Sequence, residues 1–178
     1  MMQRVNRMKR KTTLGICLLL AGLLWAQASQ AKLEIEIIKG NASALPIAVV
    51  PFQWLANGYP PITSVTDVIS QDLYRSGLFD PMDEADMADR PAEAEAIRYG
   101  TWRLLKTDYL VIGNVKDSAG GNGYDITYQL FDVHTQEQLL SQVTSVGLGD
   151  LRVGSHRVAD AIYEKLTGVP GAFSTRIA

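Results

Sequence analysis

The chain has 178 residues, with 17 Lys and Arg against 19 Asp and Glu, two His and one Cys. Residues 1–31 hold Arg4, Arg7, Lys9, Arg10, Lys11 and Cys17 but no acid, so 12 basic residues face 19 acidic ones beyond them, a net charge of −7. That balance argues against a nucleic-acid or anionic-membrane partner, which clustered Lys and Arg would have to grip, and leaves no thiol for a disulfide, a metal thiolate or a nucleophile.

A basic stretch (Arg4 to Lys11), an apolar run (Leu14 to Trp25) and the small or polar Ala26-Gln27-Ala28-Ser29-Gln30-Ala31 follow in the order of a secretory signal peptide, assigned here to residues 1–31. The apolar run is shorter than the roughly 20 residues of a membrane-spanning helix, so no membrane insertion is expected after cleavage. Small residues permit cleavage after Ala28 or after Ala31. The second is preferred, and it frees Lys32 as the new terminus.

Lys32-Leu33-Glu34-Ile35-Glu36-Ile37-Ile38 alternates with period two and precedes the turn-prone Lys39-Gly40-Asn41-Ala42-Ser43. It reads either as a strand of the protein's own sheet or as an arm that becomes a strand on pairing with something else. Pro46 to Phe52 is a proline-bounded apolar run, as expected of a strand buried on both faces. Val65, Val68, Ile69 and Leu73 recur at helical spacing before Gly77, a C-terminal cap. Leu78 to Met82 reads as a short strand or turn, followed by the acidic Asp83, Glu84, Asp86 and Asp89.

Residues 92–106 are predicted helical, with Ala96, Tyr99, Trp102 and either Leu104 or Leu105 along one side. Tyr109 to Gly113 is a second buried strand and 117–123 a Gly-rich turn. Two alternating runs, 124–130 and 139–146, form a hairpin about His134-Thr135-Gln136. A last helix spans about Leu151 to Leu166 with Val158, Ala161, Ile162 and Leu166 inward and ends at Gly168. The expected fold class is α/β, a mixed β-sheet with two to three packed helices.

Signals of chemistry are sparse. His134 and His156 are the two histidines, and Ser155 beside His156 cannot form a nucleophile–base pair, because adjacent helical residues diverge by about 100°. No ligand spacing for zinc is present, and the acidic stretch lacks the alternating oxygens, Gly and terminal Glu of a calcium loop. Gly120-Gly121-Asn122-Gly123 precedes a strand rather than a helix, so it reads as a turn and not as a phosphate cradle. The sequon Asn41-Ala42-Ser43 is too short a signal to carry weight. Trp54, Trp102 and the tyrosines are assigned to the core, with Trp54 the one placed to be exposed. No catalytic residue, cofactor or metal is expected, and the chain reads as a non-enzymatic binding protein.

The strings Pro46-Ile47-Ala48-Val49-Val50-Pro51-Phe52, Asp72-Leu73-Tyr74-Arg75-Ser76-Gly77-Leu78-Phe79, Trp102 leading to Val111-Ile112-Gly113, and Tyr128-Gln129-Leu130 resemble the TolB family of the Gram-negative Tol-Pal system. So do Glu164-Lys165-Leu166-Thr167-Gly168 and Gly171-Ala172-Phe173-Ser174-Thr175-Arg176-Ile177-Ala178. The resemblance implies a periplasmic protein with an N-terminal α/β domain, comparable to anticodon-binding domains, followed by a β-propeller. It implies a role in outer-membrane invagination during division and in outer-membrane integrity. It further implies that the first dozen mature residues bind TolA, under the control of the lipoprotein Pal.

Carried onto this chain, that arm is Lys32, Leu33, Glu34, Ile35, Glu36, Ile37, Ile38, Lys39, Gly40, Asn41, Ala42 and Ser43, created by cleavage between Ala31 and Lys32. Residues 44–170 would form the α/β domain and 171–178 the truncated start of the propeller, with a frayed end from Phe173. Since most Pal contacts in the family lie on the propeller, the resemblance gives no support for Pal binding by this chain. The alternative is a structural or regulatory fragment that keeps its arm docked.

Overall fold

The computed structural model describes residues 44–62 and 64–175. The alternating segment Lys32 to Ile38 lies outside them. The first described strand, β1 (Leu45–Val49), is apolar throughout because both of its faces are covered. Ile47 and Val49 join one core cluster, while Ala48 and the following Val50 join the other. Pro51, which has no N–H to give a ladder, interrupts this lane, and β2 (Gln53–Trp54) resumes it further along the same neighbouring strand.

Helix α1 (Val65–Arg75) begins where the Ser64 hydroxyl accepts the Asp67 backbone N–H at 3.1 Å. Asp67 in the first turn and Arg75 in the last complement the helix dipole. Its buried stripe is Val65, Val68, Ile69, Asp72 and Leu73, the predicted set with a carboxylate added. Gly77, at φ 73°, takes the left-handed conformation and donates to the Tyr74 carbonyl. The chain then turns directly into β3 (Phe79–Pro81), parallel to β1.

The long helix predicted over 92–106 is not formed. A 3₁₀ turn at Ala94–Ala96 ends at Ile97, whose extended backbone (φ −70°, ψ 117°) breaks the register before α2 (Tyr99–Leu104). The break turns Ile97 inward to join Met87 and Trp102 over Leu110, Ile112, Phe131 and Val133. One unbroken helix could not aim Ile97 and Trp102 at the same sheet face, because a five-residue separation turns them about 140° apart. Of the two candidate leucines, Leu105 packs against this cluster, whereas Leu104 is 85% exposed.

Strands β4 (Tyr109–Asp117), β5 (Gly123–Asp132) and β6 (Gln138–Gly147) form an antiparallel meander. The β5–β6 connection is the predicted one. Asp132 accepts the backbone N–H groups of His134 and Thr135, both at 2.8 Å, and Gln136 takes a φ of 64°. Helix α3 (Leu151–Thr167) closes the fold, with Val158, Ala159 and Ile162 fully buried and Gly168 in the left-handed cap conformation. Gly154 lets it approach the sheet, since a β-carbon there would lie 2.7 Å from Ile126 Cδ1 and 2.8 Å from Val146 Cγ1.

The result is an open mixed sheet in the order β3-β1-β4-β5-β6, with β2 also paired to β4. Helices α1 and α3 pack on one face through Ile69, Leu73, Val158 and Ile162. Helix α2 and its preceding turns cover the other face over β1 and β4. This is the α/β mixed sheet the periodicity predicts, with three helices.

The expected fraying from Phe173 is corrected for residues 173–175. The Asp160 carboxylate accepts the backbone N–H groups of Phe173 and Ser174 at 2.7 and 3.0 Å, and the Phe173 ring meets Tyr163 edge-on. A carboxylate on the outer side of α3 thus supplies the partners that a sheet would otherwise have given.

Candidate functional site

The predicted binding arm, Lys32 to Ser43, and the cleavage junction Ala31–Lys32 lie outside the described residues. The sheet begins immediately after them, where the Leu45 N–H donates to the Leu78 carbonyl at 2.8 Å. No helix among the described residues is long and apolar enough to cross a membrane.

The residues weighed for catalysis are drawn apart. Ser155 is buried and its hydroxyl donates to the Leu151 carbonyl one turn back, so it faces neither histidine. His134 places Nε2 2.8 Å from Asp108 Oδ1 at the exposed β5–β6 turn. His156 places Nδ1 2.5 Å from Asp72 Oδ2. Asp72 is 1% exposed, and its other oxygen accepts from Arg75. One buried carboxylate on α1 therefore reaches α3 through His156, while Arg75 of its own helix holds its other oxygen. Such an arrangement fixes the angle between helices.

Two acids of the acidic stretch pair with cations. Arg90 pairs with Glu84 at 3.1 Å and Arg98 with Asp89 at 2.9 Å. These pairs tie the segment following β3 to the loop preceding α2.

The feature with binding chemistry lies at the far end of the sheet, where the Pro/Gly-rich loop after β2 meets the β6–α3 connection. Trp54 donates its indole N–H to the Gly58 carbonyl at 3.1 Å and packs its ring 5.2 Å from that of Tyr124. Asn57 holds the loop to Asp117 through its backbone and side-chain amides. With the loop so anchored, Tyr59 and Ile62 stand almost wholly exposed and Leu148 is 61% exposed. Together with Trp54, Tyr124, Leu151 and Arg152 they line a groove of about 360 Å³. An aromatic and aliphatic lining with a single cation at the rim suits a protein contact rather than a reaction.

Sequence reasoning placed Trp54 as the exposed tryptophan, and it is half-buried at this groove. It did not single out Tyr59, Ile62 or Leu148, because their loops are brought together only by the sheet. The Asp72–His156 pair was also missed, although an acid within the apolar stripe of α1 was a legible signal.

Burial raises the Tyr128 and Tyr99 hydroxyls above the usual phenol range, and burial together with the charges of Asp132 and Asp108 raises Tyr109. Burial pushes the Asp132 carboxyl upward, but the backbone N–H groups of Thr135 and His134 outweigh it and leave the group below the ordinary range.

Comparison with known proteins agrees with this architecture. Residues 33–139 match the family model described as the TolB amino-terminal domain. The Tol-Pal system protein TolB of Xanthomonas campestris pv. campestris is 46% identical over 155 residues, covering 87% of this chain and 35% of that protein. The protein of the same description from Xanthomonas oryzae pv. oryzae is 44% identical over the same length. The crystal structure of TolB from Acinetobacter baumannii superposes with a TM-score of 0.63 at 35% identity, covering 78% of this chain and 32% of that one. This chain thus spans about a third of the length of the relatives it matches. On the agreement of the family model, the relatives and the fold, the chain belongs to the TolB amino-terminal domain family.

Proposed function

We propose that this protein is a periplasmic, non-enzymatic component of a Tol-Pal system, exported by a signal peptide over residues 1–31, which captures TolA through Lys32 to Ser43. The observation that carries the reading is that the family match begins at residue 33 and so takes in the alternating segment Leu33 to Ile38. The chemistry of that segment is suited to strand addition: backbone groups supply affinity, Leu33, Ile35 and Ile37 offer one apolar face, and Glu34 and Glu36 mark the other. In this reading the arm serves the family's role in outer-membrane invagination during division and in outer-membrane integrity.

Deletion of residues 32–43 is the test. Capture of TolA should be lost, while the circular dichroism spectrum and melting temperature of the remaining domain stay those of the parent. Undiminished capture by the deleted protein would falsify the proposal.

A further inference from the structure

The two edges of the sheet are unlike. Strand β3 is three residues long and ends in Pro81, a short and blunted edge of the kind that discourages pairing. Strand β6 is ten residues long, Gln138-Leu139-Leu140-Ser141-Gln142-Val143-Thr144-Ser145-Val146-Gly147, with no charge and no proline. Among the described residues it pairs on one side only, with β5. The one irregularity of that ladder lies at Leu130/Phe131, opposite the start of β6, so Leu140 to Val146 form a regular edge. Unpaired backbone along such an edge is a template for another strand, and natural sheets usually protect it with Lys, Pro or a bulge.

The sequence of the edge indicates which strand fits. Leu140-Ser141-Gln142-Val143-Thr144-Ser145-Val146 reads as apolar, polar, polar, apolar, polar, polar, apolar in either direction, centred on Val143. In an antiparallel pair of two such strands centred there, Leu140 meets Val146, Ser141 meets Ser145, Gln142 meets Thr144, and Val143 meets its own copy. Opposed residues in an antiparallel ladder share a face. Leu140, Gln142, Thr144 and Val146 lie opposite Leu130, Tyr128, Ile126 and Tyr124 of β5, on the side of α3. Ser141, Val143 and Ser145 lie on the other face, with Val143 57% exposed. Moving the centre to Gln142 or Thr144 sets Val143 against a serine and an aliphatic core-side residue against Thr144 or Gln142. Only the centre at Val143 matches every pair.

We propose that two copies of this chain associate through β6, antiparallel about a two-fold axis at Val143, to make one continuous sheet with both α3 helices on the same face. The contact is isologous, as most homodimer contacts are, and the absence of charge from β6 removes the like-charge opposition that self-pairing would otherwise create.

Sedimentation velocity on the purified chain from about 1 to about 200 μM tests this, a range suited to an interface of modest area. The mass should approach twice that of the chain at the upper end. Val143→Lys sets two ammonium groups face to face and should raise the dissociation constant about tenfold or more. S141K/S145K should do the same, whereas S141E/S145K, which sets each Glu against the copy's Lys, should leave association intact or tighten it. All three changes fall on the exposed face, and circular dichroism checks that the fold is kept. Monomer at every concentration would overturn the proposal and leave the edge to another strand, of this chain or of a different one. A dimer indifferent to Val143→Lys and to S141K/S145K would overturn it equally.

Discussion

Removing the imidazole of His156 tests whether the buried carboxylate of Asp72 holds α1 against α3. In the structure Asp72 is 1% exposed and is served by His156 Nδ1 at 2.5 Å on one oxygen and by Arg75 on the other. The Arg75 side chain is 61% exposed and the His156 side chain 17%. His156→Ala leaves the carboxylate buried with one partner fewer. Breaking a buried pair from one side costs about 3–5 kcal/mol when the remaining charge is uncompensated. Arg75 still compensates here, which reduces the expected loss to about 2–3 kcal/mol, near the value of one hydrogen bond to a charged group plus a small cavity. For a domain of this size that is a fall of roughly 10 °C in melting temperature. Asp72→Ala removes the buried charge itself, so the D72A/H156A double variant should be more stable than the sum of the single losses allows, with a coupling of about 1–3 kcal/mol. Arg75→Ala should cost under about 1 kcal/mol, since an exposed guanidinium is rehydrated when the pair breaks. Urea unfolding of the four variants measures all of this. A loss below about 0.5 kcal/mol for His156→Ala, or strict additivity in the double variant, would refute the view that the pair ties the helices together.

Two further outcomes follow from the geometry. Gly123→Ala should destabilise strongly, by about 2 kcal/mol or more, because its β-carbon would sit 2.0 Å from the Val146 carbonyl oxygen, a backbone atom that cannot move aside as a side chain can; thermal melts that match the parent would contradict the close approach. Asp132, whose folded pKa lies below its unfolded value, contributes stability that is fully present above the ordinary carboxylate range and is lost as pH falls through the folded value. Unfolding curves from about pH 5 down to about pH 2.5 should therefore show a steeper loss of stability in the parent than in Asp132→Asn, and coincident pH profiles would count against that assignment.

The legible parts of this protein are those written in local periodicity. Val65, Val68, Ile69 and Leu73 announce α1, and Gly77 its end, because helical spacing and a left-handed cap are properties of adjacent residues. The alternation over 124–130 and 139–146 announces the hairpin for the same reason. The failure at 92–106 has the opposite origin. Helical propensity there is overridden by the need to seat Ile97 and Trp102 together on the second face of the sheet, which no local pattern expresses. The docking of the tail at Phe173 is not written in local pattern, because Asp160, its partner, is 13 residues away on a helix face.

The same division holds for function. Composition, the split in charge at residue 31 and the strings shared with the TolB family follow from the order of amino acids alone, and they direct the reading to an exported binding protein. Tertiary structure alone decided which residues meet at a distance. It joined Asp72 to His156, gathered Trp54, Tyr59, Ile62 and Leu148 at one end of the sheet, and made β6 an edge. The near-palindrome about Val143 is in the sequence, but it carries meaning only on a strand whose second side is unpaired among the described residues. Strand order is fixed by long-range burial and pairing, which sequence spacing does not encode.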